Sequence, residues 1–180
     1  MKHYFVVAWI TGHATLAGLL WLCLSAAAGE KGEGVAFFSL PVAFGLFQAR
    51  MLRVWIRPWW WVAASVMGFF ASFLFMWVFI AAIGFTVSLA QAFCFRVHPR
   101  FLIGLAWTVL GAAGWMSGLL AGGSIMPSSG TFGGTVLYTT TSLVYAAALL
   151  PALCLVARRP DAASTTAASQ FAAPPSRERS

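Results

Sequence analysis

From Trp59 to Phe95 the chain runs for 37 residues without one charged side chain. A single helix of that length would extend about 55 Å at about 1.5 Å per residue, nearly twice the roughly 30 Å hydrocarbon thickness of a bilayer. Such a run must fold back on itself. The rest of the sequence has the same character: 61% of the 180 residues are hydrophobic and 8% are charged, against roughly 25% charged in a soluble domain. The length gives room for five or six membrane spans with short connections and for no sizeable soluble domain.

A doubled stretch says where the run folds back. Leu46–Gly68 and Leu89–Gly111, 43 residues apart, agree at nine of 23 positions, including Gln48/Gln91, Arg53/Arg96 and Arg57/Arg100. Apolar matches in an apolar chain carry little information, whereas three polar matches in register carry a good deal. Shifting the span that ends near Leu52 by 43 residues predicts a second one over 78–95 and a tight uncharged hairpin just before it. The full expectation is an all-α integral membrane protein of six transmembrane helices with a parallel internal repeat, in one transmembrane domain over 1–157. The spans fall at about 4–26, 35–52, 59–76, 78–95, 102–121 and 136–156, and the repeat units at about 35–76 and 78–121.

Between the spans the sequence predicts a polar loop over Gly29–Gly34, a basic turn from Arg53 to Pro58 and a Gly/Ser/Pro-rich loop over Gly122–Thr135. Pro41 reads as a kink within the second span. The first run has two readings. It is a retained helix, or, because Lys2 and an apolar segment precede Ala26-Ala27-Ala28, a cleaved signal peptide that would leave five spans. Residues 158–180 are rich in Ala, Ser, Thr and Pro and predict a disordered tail.

Charge placement tests the count of spans. With six, Lys2, Arg50, Arg53, Arg57, Arg96, Arg100, Arg158, Arg159, Arg177 and Arg179 share one side, and Lys31 alone is on the other. The excess of Lys and Arg on cytoplasmic loops then predicts a bacterial inner-membrane protein with both termini in the cytoplasm. The formal charge of +7 is thereby an orientation signal, not a nucleic-acid footprint, since the basic residues flank apolar runs and form no basic helical face.

The candidate functional residues are few. Arg53, Arg57, Arg96 and Arg100 either snorkel to the headgroups from the span ends or together hold a lipid phosphate or another anion. Gln48 and Gln91 lie about one turn deeper, and Ser65 and Thr108 sit on the following spans; a membrane-embedded amide bonds a neighbouring helix or lines a polar path. Ala64-x3-Gly68-x3-Ser72 and Gly114-x3-Gly118-x3-Gly122 are small-residue stripes that predict close helix packing within the protein or between subunits. Trp55, Trp59, Trp60 and Trp61 read as an interfacial aromatic belt.

No catalytic, metal or cofactor set emerges. His13 is the only histidine well inside a span, so the facing pair that a bis-His haem requires is missing. Every Asp and Glu lies outside the spans, which removes the carboxylates common in proton-coupled carriers. Cys23, Cys94 and Cys154 lie singly in different apolar runs and make neither a disulfide framework nor a metal motif. Gly114-Trp115-Met116-Ser117-Gly118 lacks the Gly-x-Ser-Gly spacing of an intramembrane serine protease.

At Gln48, Leu52-Arg53 and Trp61-x2-Ala64-Ser65-x2-Gly68 the chain resembles a group of small bacterial membrane proteins, frequent in cyanobacteria, that repeat Gln-x3-Leu-Arg…Trp-x2-Ala-Ser-x2-Gly. Ala49 and Ala92 stand where those relatives often carry Trp. The second copy departs further, with Phe95, Gly104 and Trp107-Thr108 in place of Leu, Trp and Ala-Ser. The resemblance implies the membrane architecture and no activity. The sequence therefore predicts a non-enzymatic accessory, scaffolding or homo-oligomeric membrane component without cofactor, whose partners are the bilayer, anionic headgroups and another membrane protein or a second copy. The alternative is a protein that handles a small solute, anion or lipid through the cytoplasmic arginines.

Overall fold

The computed structural model describes residues 3–96, 100–125 and 131–158, without the side chains of 76–81. Every regular element among them is helical: α1 (His3–Met51), α2 (Pro58–Ala71), a 3-10 segment (Ser72–Val78), α3 (Phe79–Ala92), α4 (Arg100–Ile125), α5 (Thr131–Ala148) and α6 (Leu150–Ala157). Four stretches are long and apolar enough to cross a membrane: His3–Met51, Pro58–Phe75, Arg100–Ile125 and Thr131–Ala157. The expected tail beyond residue 158 lies outside the described residues, as do Lys2, His98 and Arg159.

The 49 residues of α1 do not form one rod. Gly29 has φ 56° and ψ −135°, a conformation closed to residues with a Cβ, and there the helix doubles back. Gly32 then packs on the backbone of Leu24, Gly12 lies under the Phe47 ring, and His13 meets Gln48. Only Gly29 leaves helical geometry, so the expected polar loop over Gly29–Gly34 shrinks to a single residue, and the arms 3–28 and 30–51 are antiparallel.

α2 begins as its sequence dictates. Pro58 occupies the first turn, where its missing N–H costs nothing, and Arg57 ahead of it is extended (φ −96°, ψ 103°). The expected hairpin after α2 is the 3-10 segment, broken at Phe75 (φ −102°, ψ 52°). It returns α3 against α2 so closely that a Cβ on Gly68 would lie 2.7 Å from the Thr86 carbonyl oxygen. α4 and α5 pack the same way. A Cβ on Gly118 would lie 2.6 Å from Thr141 Cα, and one on Gly122 would lie 3.0 Å from the Leu137 oxygen. Both small-residue stripes are thus used within the chain. The loop expected over Gly122–Thr135 also contracts, because α4 runs to Ile125 and α5 starts at Thr131.

Large apolar side chains face outward on every long element, among them Leu19, Phe38, Met67, Phe93, Leu120 and Phe132. Polar side chains are inside: His13, Gln48, Ser65, Ser88, Gln91 and Thr141 are all buried. That inversion suits lipid as the solvent, where association rests on close packing and interhelical hydrogen bonds.

Candidate functional site

His13, Gln48, Ser65 and Gln91, all buried, form one hydrogen-bonded cluster, and the sequence pair Gln48 and Gln91 is its centre. Gln91 Nε2 donates to Gln48 Oε1 at 2.8 Å, joining the last turn of α1 to the last turn of α3. Each amide also accepts an indole N–H at 3.0 Å, Gln48 from Trp61 and Gln91 from Trp107. The second N–H of Gln91 reaches Ser65 Oγ at 2.8 Å, and the Ser65 hydroxyl donates to the Trp61 carbonyl.

His13 closes the other side. Its Nδ1 lies 2.7 Å from the Trp9 carbonyl, an acceptor only, so Nδ1 carries the proton and Nε2 is left to accept. Gln48 Nε2 lies 3.0 Å from His13 Nε2 and is the donor that this tautomer requires. The buried Tyr145 hydroxyl sits 3.5 Å from Ser88 Oγ. Trp9 Nε1 donates to the Ala146 carbonyl at 3.1 Å. Both arms of α1, and α2 through α5, each supply at least one member.

Aromatic rings seal the cluster. Trp9, Trp61 and Trp107 are fully buried, with ring centroids 5.3 Å apart for Trp61 and Trp107 and 6.3 Å for Trp9 and Trp107. Trp61 therefore leaves the expected aromatic belt. Trp59 and Trp60 keep to it, at 81% and 67% exposed. The reason is helical phase: the side of α2 that carries Trp61, Ser65, Gly68 and Phe69 is its buried side.

Trp107 meets Gln91 differently from the way Trp61 meets Gln48. The Gln–Trp separation is 13 residues in the first pair and 16 in the second, so Trp107 meets its glutamine from about one turn further along its helix. Gly104, at the position matching Trp61, instead packs on Ala92. Thr108, the counterpart of Ser65, makes the same kind of local bond, to the Gly104 carbonyl at 2.9 Å, and faces a different groove from the one Ser65 faces.

The arginines are outside this cluster. Arg53, Arg57, Arg96 and Arg100 are all exposed. An isolated antiparallel bridge between Ile56 and Phe95 ties the two basic turns, with Arg96 N donating to the Trp55 carbonyl at 2.9 Å and Arg57 N to the Cys94 carbonyl at 3.4 Å. The bridge thus sets Arg57 opposite Cys94 and Arg96 opposite Trp55, whereas the sequence register matches Arg57 with Arg100.

A cavity of about 50 Å³ lies against the cluster, with Phe44, Phe69 and Trp115 on its apolar wall and Gln48, Ser65, Gln91 and Tyr145 at its polar end. It has room for water molecules and falls far below the roughly 300–1,000 Å³ of a drug-sized ligand site. Among the described residues no three His, Cys, Asp or Glu side chains group as metal ligands. Neutral amides, indoles and hydroxyls that already bond one another can fix helix positions. They offer a substrate little unspent hydrogen-bonding capacity.

Sequence reasoning found Gln48, Gln91 and Ser65 but left His13 alone and missed Trp9 and Trp107 as partners. The available signal was the four-residue spacing of Trp9 and His13, which puts both on one helix face. No family model, curated protein or solved structure matches the chain.

Proposed function

We propose that this chain is a non-enzymatic multi-pass protein of the bacterial inner membrane, acting by packing as an accessory or scaffolding subunit or as a homo-oligomer. In this reading six passes cross the bilayer: the two arms of α1, Pro58–Phe75, α3, α4 and Thr131–Ala157. The two Gln-to-Arg stretches are copies of one unit, and both termini and the arginine turns are cytoplasmic. The carrying observation is the closed cluster around Gln48 and Gln91, whose hydrogen bonds are spent on holding the passes together.

Two measurements test the reading. A reporter fused after Arg100 or after Arg158 is expected to be active only on the cytoplasmic side; periplasmic activity at either point refutes the six-pass topology. Native mass spectrometry of protein extracted in mild detergent is expected to give a homo-oligomer or a stoichiometric complex. A lone monomer carrying a small solute would refute the packing role. The bridge that ties the two basic turns together favours a second reading, an anion or lipid site on the cytoplasmic face. Replacing Arg53 and Arg96 together by Gln tests it, and unchanged anionic-lipid binding counts against it.

A further inference from the structure

Outside the cluster, on the lipid-facing surface between α3 and α4, runs a groove of about 550 Å³. Its floor is made of small side chains, Ala92, Gly104 and Thr108, and exposed Leu89, Phe93 and Leu105 form its walls. Arg100 lines its cytoplasmic mouth. Its floor exists because Gly104 has no side chain: a Cβ there would already lie 3.1 Å from Ala92 Cβ. Thr108 adds no unmet polarity, since its hydroxyl is spent on the Gly104 carbonyl.

We propose that this groove is a binding site for one anionic glycerophospholipid of the cytoplasmic leaflet, with an acyl chain on the Ala92–Gly104–Thr108 floor and the phosphate on Arg100. Three observations on the molecule single out that occupant. From Arg100 to Val109, the lining residues of α4 cover about 14 Å at about 1.5 Å per residue, close to half of a roughly 30 Å hydrocarbon core and so to the depth of one leaflet. The mouth is cationic, and a guanidinium pairs with phosphate through two parallel hydrogen bonds. The two carboxylates among the described residues, Glu30 and Glu33, flank the Gly29 turn at the far end of the bundle and leave Arg100 without an acidic neighbour. A second copy of the chain fits less well, because its described residues bring no carboxylate to this depth. The choice of leaflet rests on the proposed topology, while the groove itself stands or falls separately from the packing role.

The test is native mass spectrometry of delipidated protein in mild detergent, titrated with phosphatidylglycerol or with phosphatidylcholine of the same acyl chains. Phosphatidylglycerol is expected to bind as a single saturable adduct. Arg100→Gln should weaken it about tenfold or more, the scale of a lost charge-assisted hydrogen bond, and Arg100→Lys by less. Leu105→Trp, which crowds the groove from an exposed wall, should weaken both lipids. Arg50→Gln, outside the groove, should change neither. All three positions are solvent- or lipid-exposed, and an unaltered melting temperature confirms that each variant is folded. Equal affinity for the two lipids, or wild-type affinity in Arg100→Gln, overturns the proposal. So does a dimer that Leu105→Trp dissociates, since the groove would then be a protein interface.

Discussion

Replacing Gln48 by leucine removes the amide on which four helical segments converge. Three hydrogen bonds go with it: to His13 Nε2, from Trp61 Nε1 and from Gln91 Nε2. A buried interhelical bond in a membrane protein contributes about 0.6 kcal/mol on average and up to about 1.7, so three of them give about 2–5 kcal/mol. Leucine is nearly the same length and gains little by leaving lipid for the protein interior, so no hydrophobic term offsets the loss. Gln91→Leu should cost less, about 1–3 kcal/mol, because it strands only the Trp107 N–H. Gln48 Oε1 keeps Trp61, and Ser65 keeps the Trp61 carbonyl. The double variant should cost less than the sum by about the energy of the shared Gln–Gln bond. Unfolding in mixed micelles of rising SDS fraction, followed by the fluorescence of the buried tryptophans, gives all three values. A Gln48→Leu protein within about 0.5 kcal/mol of wild type refutes the clamp, and so does a larger loss for Gln91→Leu than for Gln48→Leu.

The other expectations use the same assay. Gly118→Ala should cost about 1–3 kcal/mol by forcing α4 away from Thr141, while Gly123→Ala, with open space around its Cα, should stay within about 0.5 kcal/mol; equal effects would mean that α4 and α5 are not in backbone contact. Gly29→Ala should cost about 1–3 kcal/mol because φ 56° with ψ −135° is a glycine conformation, and a neutral result would place the reversal of α1 elsewhere. Trp61→Phe should lose about 1 kcal/mol through its indole N–H, whereas Trp60→Phe, exposed to the interface, should be neutral.

What was legible in the sequence depended on how rare the residue is in its setting. Glutamine is scarce in an apolar chain, so Gln48 and Gln91 stood out, and their mutual bond follows from two buried amides that have each other, the indoles, His13 and Ser65 to satisfy them. Tryptophan is common here, with nine in the chain, and the same residue type serves a belt at Trp59 and Trp60 and the core at Trp61. A charge count could separate sides of a bilayer but not these neighbours. The turn at Gly29 was misjudged for a related reason: Glu30, Lys31 and Glu33 are loop-like in composition, yet at the end of a helical arm they reach solvent without leaving the helix.

The register between the two similar stretches was the least legible feature, and its failure is informative. Aligning by sequence pairs Trp61 with Gly104 and Arg57 with Arg100; hydrogen bonding pairs the role of Trp61 with Trp107 and sets Arg57 opposite Cys94. The polar contact is kept while its donor slides one helical turn. That is what is expected if the constraint is the saturation of each buried glutamine oxygen, since a glutamine left with an open acceptor in hydrocarbon is costly and an indole one turn away reaches it nearly as well. Gly104, at the position matching Trp61, brings α4 down onto Ala92 and opens the groove floor beneath Arg100. The difference between the two stretches, more than their likeness, therefore gives the α3–α4 face its own surface. Placing the first stretch's residue there with Gly104→Trp should abolish the groove and its lipid adduct. If the adduct survives that substitution in a folded protein, the lipid sits elsewhere.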